Sequence, residues 1–216
     1  MIKKVSKELK KRNIYHKKEK EFILTKKSKT RIPNVNEDVF YLLGVISGDG
    51  SLVKCKRKRG GYHYILRIYS GKEKYLVYLN KIIQKLFKIK GKITQDKRKK
   101  NLYYITIQNA AIFFYFVTLG SEIGKKKVGK IPNKVKKKNK NILNYLAGLV
   151  DTDGHVKEKR IQLKQKRLQL LKEIKELLDK LNLNCATPKV NYTNNIPFYY
   201  IRFDNKIPLR WKGKIF

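Results

Sequence analysis

The sequence predicts an α+β fold made of two similar halves, and three observations carry that prediction. One nonapeptide pattern occurs twice, as Leu42-Leu43-Gly44-Val45-Ile46-Ser47-Gly48-Asp49-Gly50 and as Leu146-Ala147-Gly148-Leu149-Val150-Asp151-Thr152-Asp153-Gly154. Counting each motif's own helix first, hydrophobic spacing gives the same order of helix, hairpin, helix, hairpin in both halves. The stretches IIQKLFKIKGKI and LLDKLNLNCATP, one in each half, also begin alike before they diverge. A tandem duplication accounts for all three.

Taken in order, residues 1–35 form a basic extension whose main apolar interruptions are Ile14, Phe22, Ile23 and Leu24. They fit either a short helix with a phosphate-touching arm or a disordered tail. The first half spans 36–124. Asn36-Glu37-Asp38 supplies an N-cap and an acidic first turn for a helix running to about Gly48. Ser51–Arg57 and Tyr62–Ser70 read as a hairpin turned at Gly60-Gly61. A helix over about Lys74–Phe87 follows, with Leu76, Leu79, Ile82, Ile83 and Leu86 inward. Lys92–Lys97 and Leu102–Gln108 form a second hairpin around Arg98-Lys99-Lys100-Asn101, and an aromatic helix over Ala110–Leu119 closes the half.

A basic linker, 125–140, contains Pro132. The second half, 141–210, repeats the order. Asn141 caps its motif helix, a compact hairpin spans His155–Lys166, and a helix runs from Leu168 to Leu181. A last hairpin, Thr187–Asp204, turns at Asn194-Asn195.

Within each nonapeptide, the residues four apart (Gly44 with Gly48, Gly148 with Thr152) lie on one helical face and are small. Small residues at that spacing let two helix backbones approach closely. If the motif helices pack through these faces, Asp49 and Asp153 emerge side by side. The glycine after each aspartate reads as a left-handed helix stop, which sets the carboxylate at the negative end of a helix. Two adjacent carboxylates there repel unless a cation neutralises them. Hard oxygen ligands near a phosphodiester suit Mg²⁺.

Lys and Arg number 54 against 16 Asp and Glu, a formal charge of +38. A surplus of that size self-repels in the compact state and calls for a polyanion, of which nucleic acid is the obvious one. No apolar run reaches membrane length. Cys55 and Cys185 are far apart, which excludes a disulfide framework and a CxxC zinc site.

The strands carry two-faced patterns. Tyr103, Ile105 and Ile107 alternate with Tyr104, Thr106 and Gln108, and Tyr199, Ile201 and Phe203 alternate with Tyr200 and Arg202. One face feeds a core; the other offers groups of the kind that read base edges in a major groove. The DNA-contact set read this way is Lys54, Lys56, Arg67, Tyr69, Tyr104, Thr106 and Gln108 in the first half. In the second half it is Gln162, Lys164, Lys189, Asn191, Tyr200 and Arg202.

The doubled nonapeptide resembles the LAGLIDADG motif of the homing endonucleases, and two copies in one chain resemble the monomeric branch of that family. The resemblance covers about residues 36–208. It implies two αββαββα halves related by a pseudo-twofold axis, with motif helices at the interface and saddle-shaped antiparallel sheets in the DNA major groove. It implies cleavage of both strands of a long target, giving a staggered break, with divalent metal held by the penultimate acid of each motif. Those acids are Asp49 and Asp153, joined by backbone carbonyls such as those of Gly48 and Thr152. Mg²⁺ is the expected ion, with Mn²⁺ substituting. The family also places a lysine, often beside a glutamine, after the first hairpin. Lys72 and Lys166 match it, with Gln165 in the second half and Gly71 where the first half lacks the glutamine. Ser47 stands where the motif's first acid would be, whereas the second half keeps Asp151.

The function expected is therefore that of a monomeric, intracellular, nucleoid-associated endonuclease acting on double-stranded DNA, in a prokaryotic cytoplasm or an organelle matrix. An RNA-binding maturase acting on intron RNA is the alternative of the same fold. A catalytically silent DNA-binding module is disfavoured by intact acids in both motifs. An intein is disfavoured by Met1 at the start and Ile215-Phe216 where a His-Asn ending would be.

Overall fold

The computed structural model describes residues 1–97, 99–124 and 129–212. Arg98 of the second turn, residues 125–128 of the linker and the Ile215-Phe216 ending lie outside the described residues. The basic extension is folded. It comprises α1 (Ile2–Lys10) and a three-stranded meander of β1 (Lys17–Glu19), β2 (Phe22–Thr25) and β3 (Ser28–Arg31).

The first half then runs α2 (Glu37–Ser47), β4 (Gly50–Lys56), β5 (Tyr62–Ser70), α3 (Glu73–Phe87), β6 (Lys92–Gln95), β7 (Tyr103–Gln108) and α4 (Ala110–Leu119). The second half holds α5 (Asn139–Asp153), β8 (Gly154–Lys157), β9 (Arg160–Gln165), α6 (Leu168–Lys180), β10 (Lys189–Thr193) and β11 (Ile196–Asp204). The duplicated α+β plan of the sequence is present. Each half contains one antiparallel four-stranded sheet, ordered β4-β5-β7-β6 in the first and β10-β11-β9-β8 in the second. Where α4 closes the first half, no α-helix follows β11 among the described residues.

The chain divides into two compact units, and the start of the linker is not the only place where it passes from one to the other. Motif helix residues Val39–Gly48 belong with the second half, while Met1–Asp38 and the segment from Asp49 through α4 form the other unit.

In the first unit, α3 buries Tyr75, Leu76, Leu79, Ile83 and Phe87, leaving a lysine face to solvent. Helix α4 is apolar almost all round, and Phe113, Phe114, Tyr115 and Phe116 are fully buried. Each such side chain contributes about 1.5–3 kcal/mol of burial. Helix α1 packs on α4 through Val5 and Leu9. Asn109 joins three elements: its Oδ1 accepts from Ile112 N (3.0 Å), capping α4, while its Nδ2 donates to Ser28 Oγ (3.1 Å) and Thr30 Oγ1 (2.9 Å) of the meander. Gly60 and Gly61 both have positive φ, as the β4–β5 turn requires.

In the second unit, Val39–Ile46 of α2 and Tyr145–Asp151 of α5 are buried on every side, so these helices form the core. Helix α6 covers the sheet with Leu170, Leu171, Ile174, Leu177 and Leu178. The β10–β11 turn places Asn194 and Asn195 at positive φ, as its Asn-Asn pair predicts.

Two local expectations are corrected. Asn141 does not cap α5: the helix starts at Asn139 after Lys138, and the Asn141 side chain donates to Lys134 O (3.2 Å). The glycine ending the second motif is not left-handed either. Gly154 has φ −79° and ψ 146° and enters β8 directly. It is glycine because a Cβ there would stand 2.7 Å from Val150 O, so crowding rather than dihedral freedom excludes a side chain. Gly50 likewise begins β4, without positive φ.

Candidate functional site

The two motif helices meet through the small faces read from the sequence. A Cβ on Gly44 would stand 2.9 Å from Leu149 N and closer still to Tyr145 O. A Cβ on Gly148 would stand 2.9 Å from Val45 N and closer still to Tyr41 O. One turn on, a Cβ on Gly48 would run into Thr152 Oγ1 and lie 3.3 Å from Asp153 Cγ. Thr152 holds its hydroxyl back on its own helix, donating to Leu149 O (2.9 Å) and Gly148 O (3.3 Å). Helix α2 thus reaches the motif's aspartate end with its backbone against Asp153, and Asp49 is the next residue along the chain.

Asp153 is half-buried at the C-terminal end of α5, where helix carbonyls make a carboxylate costly without a donor or cation. Gln165, the buried last residue of β9, donates from Nε2 to Asp153 Oδ2. The glutamine read from the sequence is therefore brought onto the motif acid. Lys166 and Lys72 sit exposed at the corners between strand and helix, and Lys72 N donates to Ser70 Oγ (3.0 Å). Asp49 is exposed, and its carbonyl accepts from Tyr69 N (3.1 Å) at the start of the first sheet.

Asp151 has a different task. It is buried, and its carboxylate accepts from Tyr41 OH (2.8 Å) and from the backbone amides of Arg210 (3.2 Å), Trp211 (2.9 Å) and Lys212 (2.8 Å). The segment after β11 is thereby strapped to the motif helix. Arg210 lies 4.6 Å over the Tyr41 ring and donates to Asn144 Oδ1. The Lys212 ammonium donates to Val150 O (3.0 Å), Thr152 O (3.2 Å) and Gly154 O. A cation on the last carbonyls of a helix offsets its negative end. Sequence reasoning misses these tail residues, and it names the Thr152 carbonyl, a partner of Lys212, as a metal ligand. Tyr145, the counterpart of Tyr41 by motif position, has Ser47 in place of an acid across the duplication. Burial pushes the Tyr145 hydroxyl up to about 12.

Strand register sorts the candidate DNA contacts. In the second sheet Lys189 pairs with Tyr200, Tyr200 with Lys164, Arg202 with Gln162 and Gln162 with His155, while Asn191 pairs with Phe198. Gln162, Lys164, Lys189, Asn191, Tyr200 and Arg202 thus share one open face, and His155 and Phe198 join it. Arg202 lies 5.3 Å over Tyr200 and Lys164 5.5 Å over Phe198. A groove of about 1030 Å³ runs along this face from Arg202, Gln162 and Lys164 to Asp153.

In the first sheet Arg67 pairs with Thr106, and Tyr69 with Tyr104, so these four and Gln108 share the open face. Arg67 lies 5.8 Å over Tyr104. Lys54 and Lys56 stand on the other side. They pair with Tyr64 and Tyr62 in line with buried Leu52 and Leu66, and Lys54 Nζ lies 3.8 Å over the Tyr62 ring. Ser51, Val53 and Cys55 take the open face of β4. No helix among the described residues is long and apolar enough to cross a membrane.

Paired motif helices, each leading into an antiparallel sheet with a polar outer face, define a duplicated α+β architecture. Comparison with known proteins agrees. Residues 140–205 match the LAGLIDADG-like domain, and residues 36–125 match the PI-PfuI endonuclease subdomain. The fold is similar to that of I-DmoI Q42AK120M in complex with its target DNA nicked in the coding strand, at 20% identity and TM-score 0.61 over 77% of this chain and 88% of that one. It is similar to mesophilic variants of the homing endonuclease I-DmoI (20%, 0.62, 79% and 89%) and to I-WcaI bound to its DNA recognition sequence (20%, 0.50, 78% and 76%). The two family matches fall one on each half of the chain, and each spans one copy of the doubled nonapeptide.

Proposed function

We propose that this chain is a site-specific DNA endonuclease that makes a staggered double-strand break with divalent metal, acting as a monomer on nucleoid or organelle DNA inside the cell. The observation that carries this reading is the helix pairing, which sets Gly48 against Asp153 while Gln165 holds the Asp153 carboxylate. The I-DmoI structures, in complex with DNA and Ca or Mn, support it by analogy of fold.

The donor set suits a hard ion. No cluster of three or more His, Cys, Asp or Glu able to hold a metal occurs among the described residues. Asp49 and Asp153 offer carboxylate oxygens, of the kind Mg²⁺ supplements with water and substrate phosphate. We assign Asp49 and Asp153 to the ion, with the Gly48 carbonyl as a further oxygen. Bound Mg²⁺ (or Mn²⁺) supplies positive charge for the scissile phosphate and lowers the pKa of water. The chain's own residues do the rest. Gln165 fixes the Asp153 carboxylate, and Lys72 and Lys166 stand at the hairpin ends to orient water or meet charge developing on the phosphate. The open sheet faces, rich in Arg, Lys, Gln and Tyr, take phosphates and base edges.

The test is to digest a library of randomised duplex DNA with the purified chain, with and without Mg²⁺, and to sequence the ends. Recurrent metal-dependent ends around one sequence, with a fixed stagger, support the proposal. Uncut DNA together with tight binding of structured RNA would point to the maturase reading instead.

A further inference from the structure

The family matches begin at residue 36, so the folded segment before them has no part in the reading above. Its α1 packs on α4, and Asn109 fastens its meander at the end of β7. Between the end of α1, the β2–β3 turn, the β4–β5 turn and the end of β7 lies a groove of about 380 Å³. No carboxylate lines it among the described residues. Lys26 and Lys27 form the tip of the β2–β3 turn, and Arg57 enters from the β4–β5 turn. Tyr15 and Tyr62, both exposed (71% and 44%), flank it.

The groove also borders the end of the first sheet, where Tyr62 and Tyr64 enter it from the far face of β5. Gln108 lines it and is at the same time the end residue of the open face that carries Arg67, Tyr104 and Thr106. A duplex that runs on past the Gln108 end of that face comes to the cations at the tips of the β2–β3 and β4–β5 turns. Acid-free cationic walls hold phosphates, and exposed tyrosines can hydrogen-bond to the sugar-phosphate backbone.

We propose that the N-terminal module is a clamp for the DNA backbone, binding phosphates of the duplex that flanks the first half-site beyond the sheet. This rests on the endonuclease reading and adds a partner surface to it. The module fixes footprint and affinity, not base choice.

The experiment uses the full chain, its triple variant Lys26→Ala/Lys27→Ala/Arg57→Ala, and two duplexes carrying the target recovered by the cleavage selection. One duplex extends well past the first half-site; the other ends at it. Binding is measured over a range of salt, with the melting temperature of each protein as the check on folding. On the long duplex the triple variant should show a slope of log K against log salt smaller by about two to three, close to one for each phosphate that is no longer neutralised. On the short duplex the two proteins should be equal, and cutting at saturating DNA should be unchanged. Equal slopes on the long duplex, or the same weakening on both duplexes, would overturn the clamp. Weaker binding of the triple variant to single-stranded RNA alone would overturn it in favour of an RNA surface. Failure of the wild-type chain to bind either duplex would sink the endonuclease reading itself.

Discussion

Gly44 and Leu149 leave no room for a side chain between them: a Cβ on Gly44 would stand 2.9 Å from the Leu149 amide nitrogen, and Gly148 stands in the same relation to Val45. Two helices touch backbone to backbone, and the duplication makes the packing reciprocal. Replacing either glycine by alanine forces the pair apart. Gly44→Ala and Gly148→Ala should each lower stability by about 1–3 kcal/mol or more in chemical denaturation. Gly71→Ala, where the nearest atom to a Cβ is 3.5 Å away, should change it by less than about 1 kcal/mol.

Asp151 ties the segment after β11 to the motif helix through Tyr41 and three backbone amides. In Asp151→Asn, an amide faces donors that need an acceptor. Stability should fall by about 1–3 kcal/mol, and limited proteolysis should cut between residues 205 and 212. Lys212→Met removes the ammonium from the helix carbonyls and should cost less, about 0.3–2 kcal/mol.

Gln165 donates to Asp153, whereas the aligned place in the first half is Gly71. Gln165→Ala should lower metal affinity or cutting at one motif by about 10–100-fold. Nicked circles should accumulate from a supercoiled target plasmid, with the nick in one strand only, and Mn²⁺ binding followed by electron paramagnetic resonance should weaken in parallel.

Arg202 lies on the open face with Gln162 and Tyr200, while Lys56 stands on the far face of its own sheet, paired with Tyr62. Arg202→Ala should cost about 1–3 kcal/mol of target binding and relax base preference locally. Lys56→Ala should leave base preference unchanged in a binding selection.

The duplicated plan is legible in the sequence because it rests on local signals: small residues four apart, alternation in β7 and β11, and the Gly60-Gly61 and Asn194-Asn195 turns. What escapes depends on distant partners. The meander of residues 17–31 has short strands crowded with lysine and is held by Asn109, far along the chain. The strap on Asp151 comes from residues about sixty positions later, which no spacing rule reaches. Charge assigns Lys54 and Lys56 to the DNA face, but pairing with Tyr64 and Tyr62 puts them on the far one, so register outranks charge. Gly154 reads as a helix stop by its identity, although crowding by Val150 is what excludes a side chain there.

The proposal that Asp49 and Asp153 together carry the metal chemistry is tested most directly by single-turnover cleavage of a supercoiled target plasmid in Mg²⁺. Asp49→Asn and Asp153→Asn should each abolish linear product while target binding stays close to that of the parent chain. Linear product formed at the parent rate by either variant would contradict the assignment.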